Sequence, residues 1–292
     1  MGAPQGVVPF RWNVARREQL GRLLDREPAT PAYMADEPFE SHFPELRSLV
    51  VRTVARAGDA RLLFVGRSPE DLFDYLSGAL AETAWAERID LLSLSLDRTS
   101  MDYASAAAKE ALREHFTALS LHPEEIARAP RPIAFVDLVA SGRTFGALSD
   151  LLVAWAREVR VDPAAVRRRL RWVGITAAGR NSPNAWRWFQ RVPWAAEYPR
   201  SALRGVSVPF WMWTHLGDSQ AKTTASHMVF RWGAQDALRP SHDTEALYAL
   251  RRAVRIYETA RTPEERKRFA AGLAARPEMR EGWLRSLVLQ LR

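Results

Sequence analysis

Cysteine is absent from the 292 residues. Its absence excludes disulfides, thiol catalysis and cysteine-ligated zinc or iron–sulfur sites, and it fits a reducing compartment. Lysine is scarce too: Lys109, Lys222 and Lys267 are the only three among 42 basic residues, the rest being arginine. No apolar run approaches the roughly 18–20 residues that cross a bilayer. The opening stretch MGAPQGVVPFRWNVARREQL has a short apolar patch but no hydrophobic leader segment. Neither nucleotide fingerprint, G-x-x-x-x-G-K-[ST] or G-x-G-x-x-G, is present, nor the G-x-S-x-G nucleophile elbow. The histidines, at 42, 115, 122, 215, 227 and 242, lack the H-E-x-x-H spacing of a zinc site. A cytoplasmic protein with no membrane partner and no directly ligated metal is the expectation.

What is present is a chain able to bury a large core, with 47% hydrophobic and 26% charged residues. The net charge of +8 is unevenly spread: 17 basic face 22 acidic residues over 1–150, whereas 25 face 12 over 151–292. A basic half suits phosphorylated ligands or nucleic acid. An Arg- and Ala-rich composition also gives the same excess as a plain solvated surface.

Apolar periodicity predicts helices over 14–25 and 43–57, the second stopped by Gly58. RLLFVG (61–66) reads as a short buried strand. The stretch after it reads as a helix capped by Ser68, with Pro69 and Asp71 at its first and third positions. Further strands are expected at 88–96, 133–137, 169–177 and 205–213, and helices at 104–118, 144–159 and from Ser182-Pro183. From 243 onward the pattern is helical, with a capping box at Thr262 and Glu265. Strands alternating with helices imply right-handed crossovers and a mainly parallel sheet. The expected architecture is a doubly wound α/β core over 59–240. Helical extensions precede it at 1–58 and follow it at 241–292.

Two strand-to-helix loops carry the chemistry, GRSPED at 66–71 and DLVASGRT at 137–144. Ligands in such sheets bind beyond the carboxyl ends of the strands, where helix N-termini offer free N–H groups to phosphate. In the second loop Gly142 admits close backbone approach, Ser141 and Thr144 offer hydroxyls, and Asp137 suits sugar hydroxyls. The first loop reads equally as a capped helix start, and the second as a tight turn with a structural aspartate.

FVDLVASGRTF resembles the signature of the type I phosphoribosyltransferases: an apolar strand, two acids, two apolar residues, a variable position, then Thr/Ser-Gly-x-Thr. The resemblance covers about residues 60–215, its specific part only about twelve. It implies that Ser141, Gly142, Arg143 and Thr144 bind the 5-phosphate of phosphoribosyl pyrophosphate (PRPP). Asp137 would then bind ribose, Gly66-Arg67-Ser68 pyrophosphate, and magnesium would lie nearby. Displacement at the anomeric carbon would draw charge stabilisation from magnesium, Arg67 and either Arg98 or Lys222. Two departures stand out: Val136 replaces the first acid, and Ala140 lies where some members carry a catalytic acid. A non-catalytic member of the fold, sensing a nucleotide or binding a second copy or another protein, is the alternative.

Seven of eleven tryptophans lie between 172 and 232, interleaved with arginines. They suit either aromatic packing or base stacking in a nucleic-acid binder. In FWMW, Trp211 and Trp213 are expected on one face of a strand. The LGDSQAKTTAS segment between His215 and His227 is expected to be an exposed turn rather than a ligand loop.

Overall fold

The structure, a computed structural model, describes residues 9–21, 23, 39–96, 104–179 and 187–292. After a helical turn at Arg17–Leu20 come α1 (Phe39–Ala57), β1 (Arg61–Val65), α2 (Glu70–Ala79) and β2 (Ile89–Leu92). Next are α3 (Ala106–Ala118), α4 (Pro123–Arg128), β3 (Ile133–Leu138), α5 (Arg143–Glu158), α6 (Pro163–Arg169) and β4 (Leu170–Ala177). The chain continues through β5 (Leu203–Val208), α7 (Phe210–Thr214), α8 (Thr244–Arg261), α9 (Pro263–Ala274) and α10 (Gly282–Leu291).

The five strands form one parallel sheet in the order β2-β1-β3-β4-β5. Parallel strands covered on both faces read as continuous apolar runs, and RLLFV and IAFV do so. Alternation sends Leu62, Phe64, Ala134 and Val136 into a core shared with α1, α2, α9 and α10. Leu63, Val65, Ile133 and Phe135 enter the opposite core, under α3 and α5. The sheet is therefore doubly wound, as its βα order predicts.

Close helix contact fixes one wall of the site. Gly78 of α2 lies against α8 so tightly that a Cβ there would sit 2.2 Å from the Tyr257 carbonyl oxygen. Asp243 starts α8 by accepting from the Ala246 N–H at 2.7 Å, and the helix carries Arg252 to the start of α2.

Several boundaries differ from expectation. The helix predicted over 14–25 is one turn among the described residues, whereas α1 begins at Phe39 rather than 43. Ser68 is not the cap of α2. Arg67 O accepts from Glu70 N in a preceding turn, and Pro69 occupies the cap position without a side-chain bond. The helix expected over 104–118 is α3, whereas α4 and α6 went unpredicted. The strand expected over 205–213 stops at Val208, because Pro209 lacks an N–H and caps a helix instead. Trp211 and Trp213 thus lie on a helix. The Ser182-Pro183 helix start, Trp186 and Arg98 lie outside the described residues.

Tryptophans 172, 188, 194 and 232 are buried. Trp172 stacks on Phe135 with ring centroids 5.0 Å apart, and Trp188 covers Gly174, where a Cβ would fall 2.6 Å from its Nε1. These rings are core, not a base-stacking surface; Trp211 is 46% exposed.

Candidate functional site at the sheet's switch point

From β1 the chain crosses to β2 on one side, and β3, β4 and β5 follow on the other. Between β1 and β3 the crossovers diverge, leaving a crevice beyond the strands' carboxyl ends. Both loops singled out in the sequence open onto it. Gly66 (φ 72°) follows β1 and Gly142 (φ 78°) precedes α5, each in the left-handed region that glycine tolerates.

The turn after β3 is compact. Val139 N donates to Ile175 O at 2.8 Å, and Gly142 is roofed by Val192 and Trp188, 3.3 and 3.4 Å from a notional Cβ. Ser141 and Arg143 are exposed and Thr144 is half-buried. The first four amides of α5 have no partner within the helix. No hydroxyl cap is made at its start, so Ser141 and Thr144 keep their hydroxyls free of that role. An exposed hydroxyl-bearing turn at the positive end of a sixteen-residue helix suits an anion.

Asp137 lies just beneath, 8% exposed. Its Oδ1 accepts from Leu138 N at 2.7 Å. Burial pushes its carboxyl up to about 8, against the opposing pull of the Leu138 N–H and of the Lys222 charge. Near neutral pH it is mostly protonated and able to donate a hydrogen bond.

The turn after β1 is roofed by His227 and by 216–226, the LGDSQAKTTAS segment expected to be an exposed turn. It is instead packed in: Gln220, Thr223, Thr224 and His227 are buried. Thr223 donates to Glu70 Oε2 through its N–H and its hydroxyl, both at 3.3 Å. Gln220 Nε2 donates to Asp71 Oδ1 at 2.7 Å, and Arg67 Nη1 donates to Thr224 O at 3.2 Å. Ser95 N donates to His227 O at 3.1 Å. The physical reason is charge: GRSPED places two carboxylates in the first turn of α2, and this segment satisfies them.

Arginines complete that neutralisation. Arg11 approaches Glu70 at 2.7 Å, and Arg252 donates to Asp71 Oδ1 at 2.6 Å. Arg252 also donates to His215 Nε2 at 2.9 Å. That nitrogen is then an acceptor, so its 3.5 Å approach to Asp71 Oδ2 is only electrostatic, consistent with Oδ2 making no hydrogen bond. Burial alone would raise the Asp71 carboxyl, but Arg252 holds it well below the usual range. Asp74 is raised by burial and by Glu70 and Asp71. Arg11, Arg67, Lys222 and Arg252 thus gather around Glu70 and Asp71, and Glu245 also acts on Arg67.

Lys222 joins the two loops. Its Nζ donates to Leu216 O at 2.8 Å, Gln220 Oε1 at 2.9 Å and Arg67 O at 3.4 Å, while its charge acts on Asp137. Burial lowers it to about 8, countered by Glu70 and Asp71. His115 and His227 lie within reach of the Arg11 charge, and among the described residues their ring nitrogens have no hydrogen-bond partner. Burial, then Arg11, lowers them to about 4 and about 3, so both rings are neutral.

Of the residues singled out in the sequence, Gly66, Arg67, Asp137 and Lys222 meet in one place, with Ser141 to Thr144 at its rim. Ser68 makes no cap, and Arg98 is outside the described residues. Sequence reasoning missed Arg11, from the irregular chain before the first helical turn, and Arg252, from α8, neither of which carries any motif. Among the described residues no cluster of three or more acids or histidines suits a metal.

Fold and crevice define an open, doubly wound α/β protein with a cationic site at its switch point. Comparison with protein-family models, curated proteins and solved structures finds no match to this chain.

Proposed function

We propose that the chain binds a phosphorylated ribose compound, PRPP or a nucleotide, at the β1/β3 crevice, in the manner of a phosphoribosyltransferase. The observation carrying this reading is the convergence of both signature-bearing loops, with Arg11, Arg67, Lys222 and Arg252, at one topological switch point. In it, the amides and hydroxyls of Ser141 to Thr144 receive the 5-phosphate, and Asp137 meets the sugar. Arg67 and Lys222 face the remaining charge.

Binding without transfer is the favoured version. Val136 is fully buried, so the position before Asp137 supplies no carboxylate to the ribose. The acids after β1 are held by the chain's own cations, and Arg67 already donates to the roof. Such a protein would report ligand occupancy to a partner or a second copy.

Thermal shift with PRPP, ribose 5-phosphate and nucleoside monophosphates, with and without magnesium, tests the proposal on wild type and Asp137→Ala. Stabilisation by at least one phosphorylated ribose, reduced in Asp137→Ala, is expected. No shift with any of them refutes it. Release of pyrophosphate from PRPP by the wild type would replace the binding-only version with a transferase.

A further inference from the structure

The open edge of the sheet carries a second concavity, of about 410 Å³, whose walls include Arg52, Arg56, Arg187, Arg204 and Arg276. Two of them stand on α1, Arg204 belongs to β5 itself, and Phe189 gives one wall an aromatic face. We infer that this pocket is a binding site for a small polyphosphorylated molecule, separate from the switch-point crevice.

The charge balance carries the inference. Glu45 engages Arg52 at 2.7 Å. Glu278 is shared at 3.9 Å from Arg56 and 3.8 Å from Arg276, both at the limit of an ion pair. Among the described residues neither Arg187 nor Arg204 forms an ion pair with a carboxylate. Five guanidinium groups around one small space therefore face two acids, and like charges so gathered repel unless an anion enters. The Arg204 guanidinium is lowered by burial and then by Arg56, with Glu278 opposing, so it is a partly desolvated cation beside another that an anion relieves.

Size and donor type narrow the ligand. Pockets of roughly 300–1,000 Å³ take small molecules rather than folded partners. Arginine forks hold phosphate oxygens two at a time, which favours adjacent phosphates over a single carboxylate. Arg52 is in part committed, donating to the Ser207 carbonyl, so Arg56, Arg187, Arg204 and Arg276 are left to face the ligand. β5 lies two strands beyond β3, so the switch-point crevice is elsewhere on the sheet.

Isothermal titration of the full chain with sodium triphosphate in magnesium-free buffer tests this, at about 50 and about 300 mM salt. Saturable binding is expected, weaker by about tenfold or more in Arg187→Gln and in Arg56→Gln/Arg204→Gln, weaker at the higher salt, and unchanged in Arg113→Gln, which alters an exposed arginine outside both sites. No binding, binding indifferent to the pocket arginines, or binding weakened equally in Arg113→Gln would overturn it. A single-stranded RNA ten-mer that displaces triphosphate at lower concentration would make the surface a nucleic-acid groove instead and overturn the small-molecule assignment. Arg187 is exposed, so its variant tests the pocket even where the double variant folds poorly.

Discussion

Replacing Asp137 by asparagine removes a titration without removing the hydrogen bond it makes, because the amide oxygen still accepts from Leu138 N. In the folded protein the carboxyl ionises near 8, against 3.8 ordinarily. Between those values the folded state holds a proton that the unfolded chain has released, so stability falls as pH rises. The slope is about 1.4 kcal/mol per pH unit, and the whole window amounts to something on the order of 5 kcal/mol at most. Lys222 faces this carboxyl, but its own lowered ionisation, near 8 against 10.5, makes its contribution above that window. Asp74 is also raised, yet it is present in both proteins and cancels in the difference. Urea unfolding of wild type and Asp137→Asn at pH 5, 6, 7 and 8 isolates the effect. The variant should gain on the wild type by about 1 kcal/mol or more per unit as pH rises. A difference between the two proteins that stays flat from pH 5 to 8 would refute the burial argument and, with it, the protonated carboxyl proposed to meet the sugar.

Two further outcomes follow from the site's construction. Arg252→Met strands Asp71 as a buried, under-paired charge and should cost about 3–5 kcal/mol, whereas Arg113→Gln breaks an exposed pair with Glu158 and should cost under about 1 kcal/mol; chemical denaturation at neutral pH compares them. Gly142→Ala places a Cβ at φ 78° against Val192 and should cost roughly 1–3 kcal/mol; the thermal shift given by ribose 5-phosphate should shrink in parallel.

The sheet was legible because buried parallel strands are continuous apolar runs: RLLFV, IAFV and RWVGITA each appear as strands within a residue or two of expectation. The spacing of strands and helices implied the parallel order's handedness, and the glycines after β1 and before α5 marked the turns. What failed failed for reasons of tertiary charge and of proline. LGDSQAKTTAS is polar and reads as solvent-facing, but Glu70 and Asp71 need donors once α2 is buried, and this segment supplies them. FWMW continues an apolar strand pattern, yet Pro209 redirects it into a helix. Arg11 and Arg252 could not be placed because their partners lie 59 and 181 positions away in sequence. The assignment of ribose 5-phosphate rests on the short signature and on the crevice to which the fold delivers it.

The arginines flanking β5 have a consequence apart from any ligand. An outermost strand presents unsatisfied backbone groups to solvent, a template on which another chain's strand can zip. Here that margin is lined with repelling positive charge, and Arg52 already engages the Ser207 carbonyl. Two copies approaching edge to edge would crowd their guanidinium groups together. The same arginines therefore disfavour edge-to-edge pairing of two copies through β5.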